Sequence, residues 1–484
     1  MSLYNKTLEG LKWNFLGTII TICIQIGAGI VLARLLMPSD FGLYAMTFAV
    51  LAISRSVIDS GLYQALIQKK DADEVDFSLV FHFNFLLSII IFFLLFFSSN
   101  KIQEFYGYDE ISKIIKFLSL IVLIESFSLI QRASLIKEIK FDKITKIETL
   151  SKLISLTICI IMAYKGYGVW SLLFKDLFFS LLTTVLYWCI NPVKILLIVP
   201  YKRIKSLFNF GFKVFIADQI ESITNQFVQI IVGKRFTASD LGFFNKAEEF
   251  QLLFSQTIIV SINKVMFPSL VQIQNDNQKL KLKYKMLLEI SLLLLFPILF
   301  VAILVGNEMI IVLIGDKWIG SVFYFQLLCL SGMFYPFSVF NLNLLKVKGK
   351  AGLYLKTCIV SKGLLIPIIF IGIQYGIVGI VIGLVIQRFL AVIINSYYSG
   401  KIIDFSTYQQ IKSVGKSFFI SVFLFLFLYH VKINFAKDLS NIHNLIVFPF
   451  TYILFYVIIS TKYQSRKMDI VMGLIKSFSG SKNK

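Results

Sequence analysis

Apolar runs of about twenty residues recur along almost the whole chain, separated by short polar loops, and a run of that length is what an α-helix needs to cross a bilayer. The runs fall at 13–36, 41–67, 77–98, 114–136, 144–164 and 168–190, then at 208–233, 241–267, 286–305, 322–345, 352–373 and 376–398. Two more, at 417–431 and 442–461, close the chain, the first of them barely long enough to span. The pattern predicts an all-α polytopic membrane protein of about fourteen transmembrane helices, with about twelve as the lower bound. The first run is too long for a removed signal peptide and lacks a small-residue cleavage site, so it reads as a retained span.

Composition agrees: 57% of residues are hydrophobic and 15% charged, with mean hydropathy +0.79, values outside the range of soluble globular chains. No inter-span stretch is long enough for a soluble catalytic domain. The formal charge of +21 is unevenly placed. Numbered from a cytoplasmic N-terminus, the inner loops hold Lys69 and Lys70, Lys137 to Lys146, Lys194 to Lys205, Lys279 to Lys285, Lys346 to Lys350, Lys401 to Lys416, and a basic tail from Lys462 to Lys484. About 28 Lys and Arg lie on that side against about 8 on the other, and cations are retained on the cytoplasmic side. Both termini are therefore expected in the cytoplasm. The excess charge also attracts anionic lipid headgroups. Nucleic acid is not an expected partner, because the aromatics that would stack on bases lie within the spans.

The five cysteines, Cys23, Cys159, Cys189, Cys329 and Cys358, sit singly within spans without metal-ligand spacing and read as packing residues. His82, His430 and His443 have no neighbouring ligand set, so no metal site is expected. Asp71-Ala72-Asp73 imitates the acidic pair of a sugar transferase, but no nucleotide-binding unit surrounds it and it reads as a solvated loop.

The segment 30–44 recurs at 230–244, about 200 residues later, keeping Ser-Asp-x-Gly-x-aromatic as Ser39, Asp40, Gly42, Tyr44 and Ser239, Asp240, Gly242, Phe244. Each copy lies in an outer turn, with Ser or Asp placed to cap the next helix. Upstream, Thr18, Thr21 and Gln25 map onto Asp218, Glu221 and Asn225 at the same offset, and Gln229 extends the second stripe. Steps of three and four put each set on one helical face. Lipid cannot satisfy such a face, so it lines an aqueous cavity or bonds to neighbouring helices.

Further ionisable residues fall inside spans: Arg55 and Asp59, His82, Glu125 and Arg132, Lys175 and Asp176, Lys213, Lys246, Glu248 and Glu249, Lys356 and Lys362, and Arg388. Facing hydrocarbon, each would cost several kcal/mol, so they are expected to converge on a wet interior. Arg55 and Asp59 are spaced to pair on one face. Lys213, Lys246 and Lys356 lie near span ends, where they could snorkel to the headgroups. An interior rich in fixed cations suits an anionic cargo, a phosphate above all, and Arg388, Arg132, Lys362 and Arg55 are the candidates to hold it, with Gln25, Asn225 and Gln229 lining the same cavity. Asp218, Glu221 and Glu125 could couple transport to H+ or Na+ by titrating in a partly desolvated cavity. The competing reading of Asp218 and Glu221 is a static salt bridge to Lys213 or Arg388. No bound cofactor is expected.

The run 32–44, with Asp59-Ser60-Gly61-Leu62, Ala65-Leu66-Ile67-Gln68, Phe105-Tyr106-Gly107, Gly166-Tyr167-Gly168-Val169-Trp170, Phe267-Pro268-Ser269-Leu270 and Gly315-Asp316-Lys317-Trp318, resembles the Wzx-type polysaccharide flippases, and within them the branch of the colanic-acid exporters. The likeness covers most of the chain and weakens after Tyr398. It implies the MOP flippase or MATE-like fold: two pseudo-symmetric six-helix lobes, at 1–200 and 201–400, followed by two C-terminal helices and a basic tail at 401–484. It implies export of an undecaprenyl-pyrophosphate-linked oligosaccharide, the repeat unit of an O-antigen or other surface polysaccharide or exopolysaccharide, by alternating access across the bacterial inner membrane. The pyrophosphate would fall to Arg388 and Arg132. A polysaccharide polymerase and other assembly proteins are implied partners. The family often carries an acidic residue near the end of the seventh helix, where this chain has Val228 and Gln229, which moves any acidic coupling role to Asp218 or Glu221. A peptidoglycan-precursor flippase or a cation-coupled drug exporter of the same superfamily are the alternatives. A membrane polysaccharide polymerase is more remote, because a large outer catalytic loop is missing. Pro297, Pro336 and Pro367 fall within spans as bending points.

A reporter fused at Lys484 is expected to read cytoplasmic; periplasmic activity of the fusion would overturn the charge-bias topology.

Overall fold

The computed structural model describes residues 20–469 apart from 22, 60, 70, 197–203, 437–438 and 466. Within these the chain is helical: α1 (Cys23–Leu35), then α2 (Pro38–Asp59), α3 (Leu62–Gln68), α4 (Glu74–Tyr106), α5 (Ile111–Ser126), α6 (Leu129–Lys137), α7 (Phe141–Tyr164), α8 (Val169–Ile190), α9 (Ile204–Arg235) and α10 (Ala238–Val271). There follow α11 (Asn277–Leu304), α12 (Gly306–Ile314), α13 (Val322–Gly332), α14 (Tyr335–Val347), α15 (Ala351–Gly363), α16 (Leu365–Gly372), α17 (Gly376–Ile403), α18 (Thr407–Phe435) and α19 (Asn441–Tyr463). Ten segments among the described residues are long and apolar enough to cross a membrane, so this is a multi-pass membrane protein.

Two compact units form, Met1–Gly242 and Phe243–Lys484. Within the first, α9 packs on α2, α3 and α4. In the first unit α4 also packs along α5, α7 along α8, and α2 and α8 against α5. The 33-residue α4 shows the polarity that lipid imposes: Phe97 is 74% exposed while Ser99 is 1% exposed. Small polar residues face the protein because in hydrocarbon close packing and interhelical hydrogen bonds, rather than apolar burial, hold helices together. Ser112 accordingly donates to Asn100 Oδ1 at 2.7 Å across the α4–α5 seam.

Several predicted spans are broken, and the breaks have causes. The run 41–67 divides into α2 and α3 at Gly61, whose φ of 66° only glycine adopts at little cost. Pro336 and Pro367 cannot donate to the carbonyls four residues earlier, and the preceding helices end at those residues, Gly332 and Gly363. Pro297 remains inside α11. The break between α5 and α6 involves no proline. There the carbonyls of Ile124, Phe127 and Gln131 accept hydrogen bonds from Thr184 (3.2 Å), Trp188 (2.9 Å) and Asn191 (3.2 Å) of α8 and the residue following it. A side-chain stripe on the neighbouring helix thus does what water would do for an irregular backbone in solution.

In the second unit α11, α13, α14, α15 and α16 gather on α17 and α18. The run at 417–431 was read as barely spanning; α18 has 29 residues. Its first turns are polar because Gln410 and Ser417 point inward. Tyr284 donates to Asn341 Oδ1 (2.7 Å) and Gln410 Oε1 (3.2 Å), and Asn341 donates to Gln410 Oε1 (3.1 Å). Tyr456 of α19 donates to the Leu293 carbonyl of α11 at 3.0 Å, and Lys432 of α18 meets the buried Glu308 of α12 at 2.8 Å. The two last helices are therefore docked through polar contacts. Cys159 and Cys329 are buried as packing residues should be, but Cys23 and Cys189 are exposed, where a thiol is apolar enough to meet lipid. Asp73, of the acidic pair, caps α4 by accepting from Asp76 N at 3.0 Å.

Lys432→Met is expected to lower stability by about 3 kcal/mol, because Glu308 stays buried without its counter-ion, and the double variant with Glu308→Gln should recover most of the loss. Thermal melting in detergent tests this; equal melting of single and double variants would contradict it.

Candidate functional site

The first unit contains a polar cavity of about 290 Å³ lined by Arg55, Glu125, Ser128, Arg132, Glu148, Ser180, Thr183 and Tyr187, with Ile58, Leu129 and Phe179 as its apolar wall. Each element contributes for a local reason. α2 delivers Arg55 from its interior. The broken α5–α6 span places Glu125, Ser128 and Arg132 around the break, where the chain bends. α8 carries Phe179, Ser180, Thr183 and Tyr187, spaced one helical turn apart so that they share a face.

Two arginine–carboxylate pairs organise the cavity. Arg55 donates through Nε and Nη2 to both oxygens of Glu125, at 2.7 and 2.5 Å, the fork geometry that guanidinium and carboxylate share. Ser180 donates to the same carboxylate at 2.7 Å. Arg132 Nε lies 3.3 Å from Glu148 Oε1, and Tyr187 donates to Glu148 at 3.1 Å. The pairs differ in exposure: the Arg132 side chain is 47% exposed and that of Arg55 is 29%. Arg132 is the more open of the two to the cavity, where its guanidinium is placed to meet an anion, whereas Arg55 is committed to Glu125. The Thr183 hydroxyl is buried with no hydrogen-bond partner, an open position for a ligand polar group.

Arg55 pairs over a long range with Glu125, because the α5–α6 break brings that carboxylate level with it; the Asp59 side chain, expected beside Arg55, lies outside the described residues. The expected surplus of cations is not found in this cavity, where each arginine has a carboxylate beside it. Lys175 and Asp176 form a second, half-buried group with Tyr44: Tyr44 donates to Asp176 Oδ2 at 2.8 Å, and the Lys175 ammonium lies 3.4 Å from Asp176 and over the Tyr44 ring.

Of the other candidates, Gln25 and Asn225 are exposed and Gln229 is half-buried on α9, none of them lining the cavity. Asp218, Glu221 and Lys213 fall on α9, but their side chains lie outside the described residues. In the second unit Arg388 of α17 is near Glu248 and Tyr335, and its Nη1 is buried without a hydrogen-bond partner. Lys362 is half-buried in the last turn of α15. Lys246 is buried and paired with Glu249 at 2.7 Å, while Lys356 is exposed beside the Tyr398 ring. Glu148, Ser180, Thr183 and Tyr187 were not singled out from the sequence. The three- and four-residue spacing of Ser180, Thr183, Thr184 and Tyr187 in an otherwise apolar run was the signal that marked them.

A model of the family described as polysaccharide biosynthesis protein matches residues 31–323. The lipopolysaccharide biosynthesis protein WzxC of Escherichia coli (strain K12) is 25% identical over 434 residues, 87% of each chain. The teichuronic acid biosynthesis protein TuaB of Bacillus subtilis (strain 168) is 23% identical over 354 residues, 73% of each. Among solved structures, the lipid II flippase MurJ in an inward closed conformation superposes with a TM-score of 0.76 at 16% identity, over 94% of this chain and 100% of that one. An inward-facing multidrug resistance MATE family transporter of the MOP superfamily superposes with a TM-score of 0.64 at 14% identity, over 80% of this chain and 94% of that one. These likenesses show a shared fold.

Arg55→Gln and Glu125→Gln should each destabilise the protein, and together by less than the sum, with a coupling of about 1 kcal/mol or more. Additive losses in melting temperature would mean that the pair does not hold the cavity wall.

Proposed function

The chain belongs to the polysaccharide biosynthesis protein family, and from that premise we propose that it moves an undecaprenyl-pyrophosphate-linked oligosaccharide from the inner to the outer leaflet of the bacterial cytoplasmic membrane. It is a transport protein rather than an enzyme. The observation that carries the reading is a cavity of hydroxyls, carboxylates and arginines built into a bundle of membrane-crossing helices. A sugar headgroup needs such donors and acceptors in place of water, while its lipid tail stays in the bilayer. The printed names of the relatives, lipopolysaccharide and teichuronic acid biosynthesis proteins, support a surface polysaccharide as the cargo.

Within this reading Arg132 engages the anionic part of the cargo, because it is the more exposed of the two guanidiniums that line the cavity, and Arg388, with its unsatisfied nitrogen, serves an anion in the second unit. The repeat supports a two-lobed machine working by alternating access, with both termini in the cytoplasm and a polymerase taking the exported unit. Glu125 is held on both oxygens by Arg55 and Ser180, which leaves H+ or Na+ coupling to Asp218 or Glu221. The MurJ superposition favours one second reading, a peptidoglycan-precursor flippase of the same fold.

Arg132→Gln and Arg388→Gln, made singly and together, should give folded protein and cells that accumulate lipid-linked oligosaccharide on the inner leaflet. Normal export by the double variant would remove both from the site, and accumulation of a peptidoglycan precursor would select the second reading. Asp218→Asn and Glu221→Gln should abolish export without changing thermal stability. Export that stays normal across external pH would end the coupling role.

A further inference from the structure

Lys152 lies inside a membrane-crossing helix of the first unit without a counter-ion among the described residues. It is the twelfth of the 24 residues of α7, so about 17 Å of helix separates it from either end, too far for its side chain to reach a headgroup layer. Nor does it face lipid. The exposed arc of α7 carries Leu150, Leu153, Ile154 and Ile161, whereas the half-buried Lys152 shares the opposite arc with the buried Ser155 and Cys159, three and seven residues on. Glu148, one turn before it on the same face, lines the polar cavity.

The α7–α8 hairpin fixes what stands opposite. Tyr187 of α8 donates to Glu148 at 3.1 Å, and farther along the seam Cys159 lies in the field of Lys175. Each step forward along α7 is therefore a step back along α8, and Lys152 stands level with Thr183. The Thr183 hydroxyl is buried at the cavity wall without a hydrogen-bond partner, so an ammonium and a hydroxyl, neither of them satisfied, share one level of the seam. Charge gives the sign of what would complete them. Arg55 holds Glu125, Arg132 lies beside Glu148, and Lys175 lies beside Asp176. Lys152 is the fourth cation beside those three carboxylates, and it feels Lys175 and the already engaged Glu148. One positive charge is left over, in surroundings where an uncompensated ammonium is costly.

We propose that Lys152 and Thr183 form an anion subsite at the edge of the cavity, completed by an anionic oxygen group of the lipid-linked cargo: a phosphate of its pyrophosphate or a carboxylate on one of its sugars. The proposal rests on the transport reading above. The two sources share the chemistry that the pair recognises, an oxygen that accepts from an ammonium and from a hydroxyl. Binding there relieves the cost of an unpaired ammonium besides making new hydrogen bonds. The subsite is separate from Arg132, whose guanidinium lies beside Glu148 one turn earlier along α7, so the cargo meets two cations rather than one.

The test uses purified full-length protein in nanodiscs and three probes: undecaprenyl pyrophosphate without sugar, the same lipid bearing a neutral oligosaccharide, and the same lipid bearing an oligosaccharide that contains a uronate. Lys152→Gln should weaken binding of at least one probe about tenfold and Thr183→Val by a smaller factor, while Lys152→Arg keeps most of the affinity. Weakening toward all three probes alike assigns the subsite to the phosphate, and weakening confined to the uronate probe assigns it to the sugar. The melting temperature of Lys152→Gln without ligand should equal or exceed that of the unsubstituted protein, because an uncompensated charge has been removed. A lowered melting temperature would make Lys152 a structural residue and overturn the inference, as would undiminished binding of all three probes by Lys152→Gln. If the unsubstituted protein binds none of them, it is the transport reading that fails, and the subsite falls with it.

Discussion

Hydrocarbon offers no hydrogen bonds, and that constraint runs through this molecule from its helix breaks to its cavity. Where α5 gives way to α6 without a proline, the carbonyls of Ile124, Phe127 and Gln131 accept hydrogen bonds from Thr184, Trp188 and Asn191. Where α18 begins with polar residues, Gln410 joins Tyr284 and Asn341 in a buried network. Where arginines lie within spans, Glu125 and Glu148 meet them. The cavity exists because the α5–α6 break opens room beside α8 and its polar groups line that room.

Much of this was legible in the sequence because lipid imposes a coarse, readable rule on composition. The all-α membrane architecture, the positions of most spans and the convergence of Arg55, Glu125 and Arg132 follow from apolar runs and the cost of burying charge. The partner of each charge was not legible. Helical spacing could not reveal Glu125 as a partner of Arg55, because it is 70 residues away, a distance that only tertiary packing spans. The length of α18 was underread for a related reason: Gln410 and Ser417 lower the local hydropathy, yet inward-facing polar groups do not shorten a span. Glu148 and Tyr187 escaped notice because a carboxylate near a span end reads as solvated until a tyrosine is found bonded to it.

The internal repeat was visible as a string of shared letters, but its physical meaning needed coordinates. Ser, Asp and Gly recurring about 200 residues apart announce duplicated turns. That each glycine accommodates the other copy's backbone is a property of the folded pair alone. Duplication thus supplies both halves of a self-complementary contact, and the aromatic that ends the first motif, Tyr44, carries the connection inward to Asp176 and Lys175.

The central claim is that the polar cavity carries a lipid-linked sugar across the bilayer. Its most direct test is reconstitution of the purified protein into liposomes holding an undecaprenyl-pyrophosphate-linked oligosaccharide in one leaflet, followed by time-resolved capture of the sugar by a lectin on the opposite side. Capture that requires the protein and is strongly slowed by Arg132→Gln is the predicted result. A sugar that stays on its original side in the presence of folded protein, or crosses equally fast with the variant, would contradict it.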